Sequence, residues 1–286
     1  MRLRPLVLLA AFAFSACSKS SESAAPTEPA SAPPAATSPP PPPSAVASSA
    51  PKEATTSERQ VDVLSTSLGD VRIIPIHHGS VLFELGDKAY YVDPFREGNF
   101  DGLPKADFIF ITHAHPDHFD TAAIETLRKA STVIVCPPSV ATLWTLVGGR
   151  QGSSTVVLKN GDKQSVGGIG VEAVAMYNEK RGPAAGKLFH EKGWGEGFVL
   201  TFGDKRVYLS GDTECTPEMR ALKNIDVAFV CMNLPYTMPP SEAAECIAAF
   251  KPNVLYPYHY RGSDLGELDK GLASTKDIEV RKREWY

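Results

Sequence analysis

Little about this chain's charge is lopsided: 29 basic residues stand against 33 acidic ones in 286, for a formal charge of −4. No basic cluster offsets that balance, which removes the electrostatic footprint of a nucleic-acid binder. The N-terminal apolar run, residues 6–14, falls well short of the roughly 20 residues that a spanning helix needs. Neither a Gly-x-Ser-x-Gly element nor an activated Cys–His pairing offers a side-chain nucleophile. Histidine is scarce, seven in all, and cysteine scarcer still at five. Three of those seven histidines nevertheless fall within six residues, His113, His115 and His118.

These three sit in Ile111-Thr-His-Ala-His-Pro-Asp-His-Phe-Asp120, between an apolar stretch over 106–111 that reads as a buried strand and a helical pattern over 121–130. Two apart on extended backbone, His113 and His115 point the same way. Pro116 then turns the chain, so that Asp117 and His118 face a second position nearby. Neutral imidazole and carboxylate at this density suit zinc or a similar first-row ion.

Thr-His-Ala-His-Pro-Asp-His resembles the His-x-His-x-Asp-His signature of the metallo-β-lactamase superfamily of metal-dependent hydrolases. The resemblance runs over about residues 61–286. It is nearer to the broad branch of uncharacterised hydrolases than to the antibiotic-destroying enzymes. It implies an α/β fold, a four-layer αββα sandwich, where composition alone leaves a doubly wound sheet in contention.

Ahead of that domain, Arg2 and Arg4 precede residues 6–14 and the small pair Ser15-Ala16, the layout of a secretory signal. Phe14-Ser-Ala-Cys17 resembles a bacterial lipobox, with cleavage before Cys17 and lipidation of its thiol; Phe replaces the commoner Leu at the first position. Residues 18–58 are low-complexity Ser, Ala, Pro and Thr, expected to form a disordered spacer between membrane and domain. The expected location is therefore an exported, lipid-anchored protein of the cell envelope, at the outer membrane facing the periplasm. Cys136, Cys215, Cys231 and Cys246 match no disulfide framework, and buried free thiols are the expectation for them.

Strands are expected over 61–67, 71–76, 81–85 and 89–92, then over 132–135, 155–158, 163–166, 170–176, 197–202, 206–210, 225–231 and 252–260, with an edge strand from Ile278 to Tyr286. Helices are expected over 138–146 and 240–250. The resemblance extends to His77-His78-Gly-Ser80, followed by Val92-Asp93-Pro94. By it His78 lies near the metals and Asp93 braces the loop beneath them. His77 replaces a glycine of that pattern and reads as a hydrogen-bonded structural histidine.

The family's next histidine belongs at the end of the strand 170–176, where this chain has Tyr177-Asn178. His190 is the candidate in its place; the alternative is a loop histidine and a single metal. Gly211-Asp212-Thr213 resembles the family's bridging-aspartate element, and His259, closing Pro252-Asn-Val-Leu-Tyr-Pro-Tyr-His259, the last ligand. The implied arrangement is His113, His115 and His190 on one ion and Asp117, His118 and His259 on the other, with Asp212 between them. Two zinc ions are expected, iron or manganese being the alternatives. They would share a hydroxide as nucleophile, with Asp117 orienting it and returning a proton to the leaving group. Residues 179–197, with Phe189 and Trp194, are expected to form a flap, and Tyr236 and Tyr260 to offer hydrogen bonds to substrate.

The function that follows is hydrolysis of a small ester, lactone, phosphodiester or amide in the cell envelope. A non-catalytic metal-binding lipoprotein of the same fold is the second reading. A redox diiron centre is the third, disfavoured because no flavin-binding segment follows the domain.

Overall fold

The computed structural model describes residues 59–149 and 154–286. The expectations for residues 1–17 and 18–58, including Cys17, lie outside the described residues. In order the chain forms β1 (Asp62–Thr66), β2 (Gly69–His77), β3 (Ser80–Leu85), β4 (Lys88–Val92), β5 (Ala106–Phe110), α1 (Thr121–Leu127), β6 (Arg128–Cys136), α2 (Pro138–Leu146) and β7 (Ser154–Val157). Next come β8 (Lys163–Val166), β9 (Ile169–Met176), β10 (Gly195–Phe202), β11 (Lys205–Leu209), α3 (Pro217–Arg220), β12 (Val227–Cys231), α4 (Pro240–Phe250), β13 (Val254–Tyr258), α5 (Leu265–Leu272) and β14 (Glu279–Val280).

They build two seven-stranded sheets, β1 to β7 and β8 to β14, each in sequence order. In both, the first four strands pair antiparallel, through short turns except for the long link between β9 and β10. The last three join in parallel. Alternation along the strands explains the layering, since successive side chains face opposite sides. In β3, Val81 and Phe83 enter the core between the sheets while Leu82 faces outward. Leu82 joins Ile109, Ile134, Ile124 of α1 and Trp144 of α2 in an outer core. On the second sheet Met219 of α3, Ile247 and Phe250 of α4, and Leu268 of α5 supply the matching cover. The αββα sandwich is therefore present, built by strands buried on both faces.

Four local features differ from expectation. α1 stops at Leu127, because Arg128 turns to extended backbone and β6 begins there, pairing Arg128 with Ala106 of β5. Sheet pairing overrides helical propensity at that point. The short α3 and α5 carry weak sequence signals, although Thr216 and Asp264 cap them with side-chain oxygens. β14 is only two residues long, and the chain after it leaves the sheet edge. Finally, Cys215 and Cys246 are not free thiols: they form a disulfide, Cα atoms 5.6 Å apart, that ties the loop after β11 to α4. Cys136 and Cys231 are the buried free pair. Cys246 sits on the apolar face of α4, so its surroundings resemble those of a buried thiol, and a separation of 31 residues conceals its partner.

Candidate metal centre

Strand ends from both sheets converge on one edge of the sandwich. β5 runs into Ile111, whose N–H donates to the Val135 carbonyl, so the chain remains extended as far as His113. The His115 carbonyl then accepts the N–H groups of His118 (3.0 Å) and Phe119 (2.7 Å), closing the turn that presents four polar side chains. Asp120 fastens its far end: Oδ1 caps α1 by accepting from Ala122 and Ala123, and Oδ2 accepts from the Arg96 guanidinium at 2.6 Å.

The ligand-type atoms come close together. His113 Nε2 and His115 Nδ1 are 3.1 Å apart, and His115 Nδ1 and His190 Nε2 are 3.2 Å apart. Asp212 Oδ2 lies 3.7 Å from His190 Nε2, while its Oδ1 lies 3.4 Å from both His118 Nε2 and His259 Nε2. Asp117 Oδ2 is 3.6 Å from His259 Nε2 and 3.9 Å from His118 Nε2. Two atoms held tetrahedrally on one ion at about 2.0–2.1 Å stand about 3.4 Å apart, so these separations match the edges of two coordination polyhedra. His118 Nε2, Asp212 Oδ1 and both His259 nitrogens have no hydrogen-bond partner among the described residues although all are buried. Buried polar atoms left unpaired are costly, and a cation held between them removes that cost. The donor set of imidazole and carboxylate fits a first-row dication.

Outer hydrogen bonds aim these rings. Asp93 Oδ2 accepts from His118 Nδ1 at 2.7 Å and from Thr112 Oγ1 at 2.6 Å, while its Oδ1 accepts the Thr112 N–H at 2.8 Å. Asn178 Oδ1 accepts from His190 twice, from Nδ1 at 2.7 Å and from the backbone N–H at 3.0 Å. Asn178 is in turn held by Glu214, a buried carboxylate that also accepts the N–H groups of Glu179, Lys180 and Arg181. Asn178 occupies the strand end where a family histidine was expected, and its amide oxygen holds the His190 ring through Nδ1.

Two glycines make the convergence possible. A Cβ on Gly195 would stand 2.8 Å from the His113 Cβ, and one on Gly211, where φ is +58°, would stand 2.6 Å from Met176 Sδ. His78, Asp93 and His259 all hold left-handed backbone, with φ of 56°, 42° and 45°. Such strain, uncommon outside glycine, concentrates at sites that the surrounding structure over-determines.

Charge follows the same geometry. Burial pushes His113 well below the usual imidazole range and His190 down to about 4, which keeps both neutral and able to ligate. For His118 burial opposes protonation, but Asp212 and Asp93 outweigh it and raise the group to about 10. Cation binding would release that proton. Burial likewise opposes ionisation of Asp117, yet the neighbouring His259 imidazole at 3.6 Å and the hydrogen bond with His78 outweigh it and hold the group as a carboxylate.

Of the weaker expectations, His78 touches Asp117, and Asp93 supports the loop as described. Tyr236 lines the cavity beside the centre, packed edge-on to Phe189 with ring centroids 5.0 Å apart. Tyr260 is turned away, its hydroxyl donating to the Arg283 carbonyl. Trp194 packs against the His115 ring at 4.8 Å, which places the flap over that side. His77 stands 3.5 Å from Glu97, beside Phe95. Asn178, Glu214, Thr112 and Tyr286 are the contributors that sequence reasoning missed; the Asp-Thr-Glu run 212–214 was the available signal for one of them.

The chain matches the family model "Beta-lactamase superfamily domain" over residues 72–259. A UPF0173 metal-dependent hydrolase of Thermococcus onnurineus is 30% identical over 219 residues, covering 71% of this chain and 94% of that protein. A second, from Desulforamulus reducens, is 29% identical over 210 residues, covering 71% and 89%. Among solved structures, a metal-dependent hydrolase candidate from Parabacteroides distasonis superposes with a TM-score of 0.72 at 39% identity, covering 80% of this chain and all of that one. The diiron β-hydroxylase CmlA of Streptomyces venezuelae shares the fold alone, with a TM-score of 0.57 at 17% identity over 75% of this chain and 52% of its own.

Proposed function

The chain belongs to the beta-lactamase superfamily and, within it, to the UPF0173 metal-dependent hydrolases, and from that premise we propose a dinuclear zinc hydrolase acting on a small molecule in the cell envelope. One observation carries the dinuclear reading: the two oxygens of Asp212 divide between separate sets, Oδ1 toward His118 and His259 and Oδ2 toward His190. A bridging carboxylate of this kind offsets the repulsion of two neighbouring cations. His113, His115 and His190 would hold one of them, and Asp117, His118 and His259 the other. A set dominated by imidazole suits zinc, with iron or manganese as the alternatives.

When bound, such a pair supplies Lewis acidity and a water that ionises near neutral pH. Everything else falls to the chain's own residues. Asp117, ionised and partly open to the cavity, accepts the proton of the attacking water and passes it to the leaving group. Asp93 and Asn178 hold the His118 and His190 rings so that little reorganisation accompanies the reaction. The cavity in front has a volume of about 660 Å³ and is lined by Phe189, Leu234, Pro235, Tyr236 and Arg261. That volume suits a small molecule, and the lining suits one with an apolar group on the aromatic wall and negative charge toward Arg261.

Two further observations support an envelope location. One is the lipobox at Cys17; the other is the Cys215–Cys246 disulfide, which persists in oxidising compartments. Labelling of the full chain with a radioactive fatty acid tests the anchor: label lost in Cys17→Ser is expected, and no label in the natural chain would refute it.

The function is tested by elemental analysis of the purified protein together with panels of chromogenic esters, lactones and phosphodiesters. About two zinc ions per chain and turnover of one panel are expected, with turnover lost in a folded His113→Ala variant by about 10²–10³-fold or more. Unchanged rates in that variant, or no transition metal in the natural chain, would defeat the reading.

A further inference from the structure

The segment after β14 is fastened at several points. Arg283 grips Asp62 with two bonds, Nη2 to Oδ1 at 2.6 Å and Nε to Oδ2 at 2.9 Å. Trp285 is buried against Tyr258 and Phe229, ring centroids 5.9 and 6.3 Å away. Its carbonyl accepts the His78 N–H at 3.0 Å, and the His78 carbonyl accepts the His259 N–H at 3.1 Å. This stitching lays Tyr286 beside the left-handed turn at His78. There Tyr286 Oη stands 3.1 Å from His78 Nδ1, and His78 Nε2 stands 3.0 Å from Asp117 Oδ2.

The protons along this row can be assigned. The Arg261 backbone N–H reaches Tyr286 Oη at 3.0 Å and can only donate, so the hydroxyl accepts there. Its own proton is then available to His78 Nδ1. An imidazole that accepts at Nδ1 carries its proton on Nε2 and donates it to Asp117 Oδ2. The opposite tautomer would set a nitrogen lone pair against a carboxylate. Both nitrogens of His78 are therefore satisfied within the protein, whereas the unpartnered imidazole nitrogens of the centre belong to His118 and His259. That contrast separates a residue that supports a ligand from residues that await a cation.

We propose that Tyr286 and His78 form a positioning arm that fixes the rotamer of Asp117, and through it one of the two cation positions only. The arm rests on the reading of Asp117, His118 and His259 as one position. Its reach is one-sided, because neither residue is within bonding distance of His113, His115 or His190 in the contacts described. The tail thus contributes to the centre although it follows the last ligand by 27 residues, from His259 to Tyr286.

The test uses Tyr286→Phe, which keeps the ring that packs on His77 and His78 and removes only the hydroxyl, alongside His78→Asn, which tolerates left-handed backbone. Zinc affinity is measured by competition with a chromophoric chelator, and kcat and KM on any substrate turned over. Denaturant unfolding checks that both variants remain folded. In Tyr286→Phe one class of zinc should weaken about 10–100-fold and the other by no more than about twofold. The loss in turnover should fall on kcat, with KM little changed, and the visible spectrum of the cobalt-loaded protein should shift. Equal weakening of both classes would show a merely structural tail and overturn the proposal, as would no change in either. Outright loss of one zinc in His78→Asn, with Tyr286→Phe unaffected, would make His78 a ligand and also overturn it. Two intact zinc classes with no turnover on any substrate would count against the hydrolase reading while leaving the affinity test of the arm decisive.

Discussion

The two halves of this domain run through the same succession of pairings, four antiparallel strands and then three in parallel, yet put corresponding strand ends to different uses. Asp93 follows β4 and Asp212 follows β11, the same place in each half. Asp93 turns to the back of the His118 ring, whereas Asp212 faces the centre itself. The link from β2 to β3 is the tight turn at His78 and Gly79; the link from β9 to β10 expands to residues 177–194 and carries His190. The first half concentrates four polar side chains in one turn after β5. The second contributes His190, Asp212 and His259 from three separate connections. A repeated framework therefore supplies equivalent sockets, and local sequence decides whether each is filled by a ligand or by its support.

Exchanging charge at the paired aspartates gives the largest expected contrast. Asp212→Asn should lower turnover by about 10²–10³-fold or more and reduce bound zinc from two ions per chain, read by elemental analysis beside kinetics. Asp93→Asn, in the matching socket, should retain both ions with affinity weakened about 10–100-fold. Equal effects of the two would erase the distinction between ligand and support.

A smaller contrast separates the two supports. Asp93 presents a carboxylate to His118, but Asn178 presents only an amide oxygen to His190. Asn178→Ala should therefore weaken zinc by less than Asp93→Asn, toward the lower end of the same range of about 10–100-fold. Chelator competition on the two variants measures the order, and a reversed order would place the stronger support on the flap side.

A contrast of another kind, in stability and not in metal affinity, concerns polar residues near the start of β3 and β10. Ser80 is buried with its hydroxyl donating to the Asp93 carbonyl; Glu196 is equally buried, and both its carboxyl oxygens are unpaired among the described residues. Burial, with Asp162 adding to it, pushes the Glu196 carboxyl up to about 9. A raised carboxyl favours the neutral form in the fold. Its contribution to stability is present below the ordinary carboxyl range near 4.5 and is lost as pH climbs through about 9. Denaturant unfolding should show the natural chain losing stability relative to Glu196→Gln between pH 5 and 9, by at most about 1.4 kcal/mol per pH unit. Parallel curves would mean that the carboxylate finds a partner.

Much of this was legible in the sequence, and the reasons differ by element. The turn at residues 113–118 could be read directly because its chemistry is contiguous, and β3, α2 and α4 because their apolar patterns and bounding Gly or Pro agree. His190 could be nominated only through the resemblance, since nothing local to Phe189-His190 indicates that Asn178, twelve residues earlier, aims its ring. Tyr286 was invisible for a similar reason: its partner His78 is 208 residues away. The Cys215–Cys246 bond was misjudged because burial of a half-cystine and of a thiol look alike in a sequence. Local pattern reveals what a segment can do, while pairings across the fold depend on a register that no window contains.

Gly195 and Gly211 carry a consequence for how such an enzyme can change. With no side chain at either place, the backbones around His113 meet directly, so the spacing of most of the centre is inherited from the docking of one sheet against the other. Leu234 and Tyr236 on the rim are exposed and stand outside the core, as do the exposed residues 183–187 of the loop. Lineages can therefore rewrite those rims, and with them the choice of substrate, while the chemistry beneath is passed on intact.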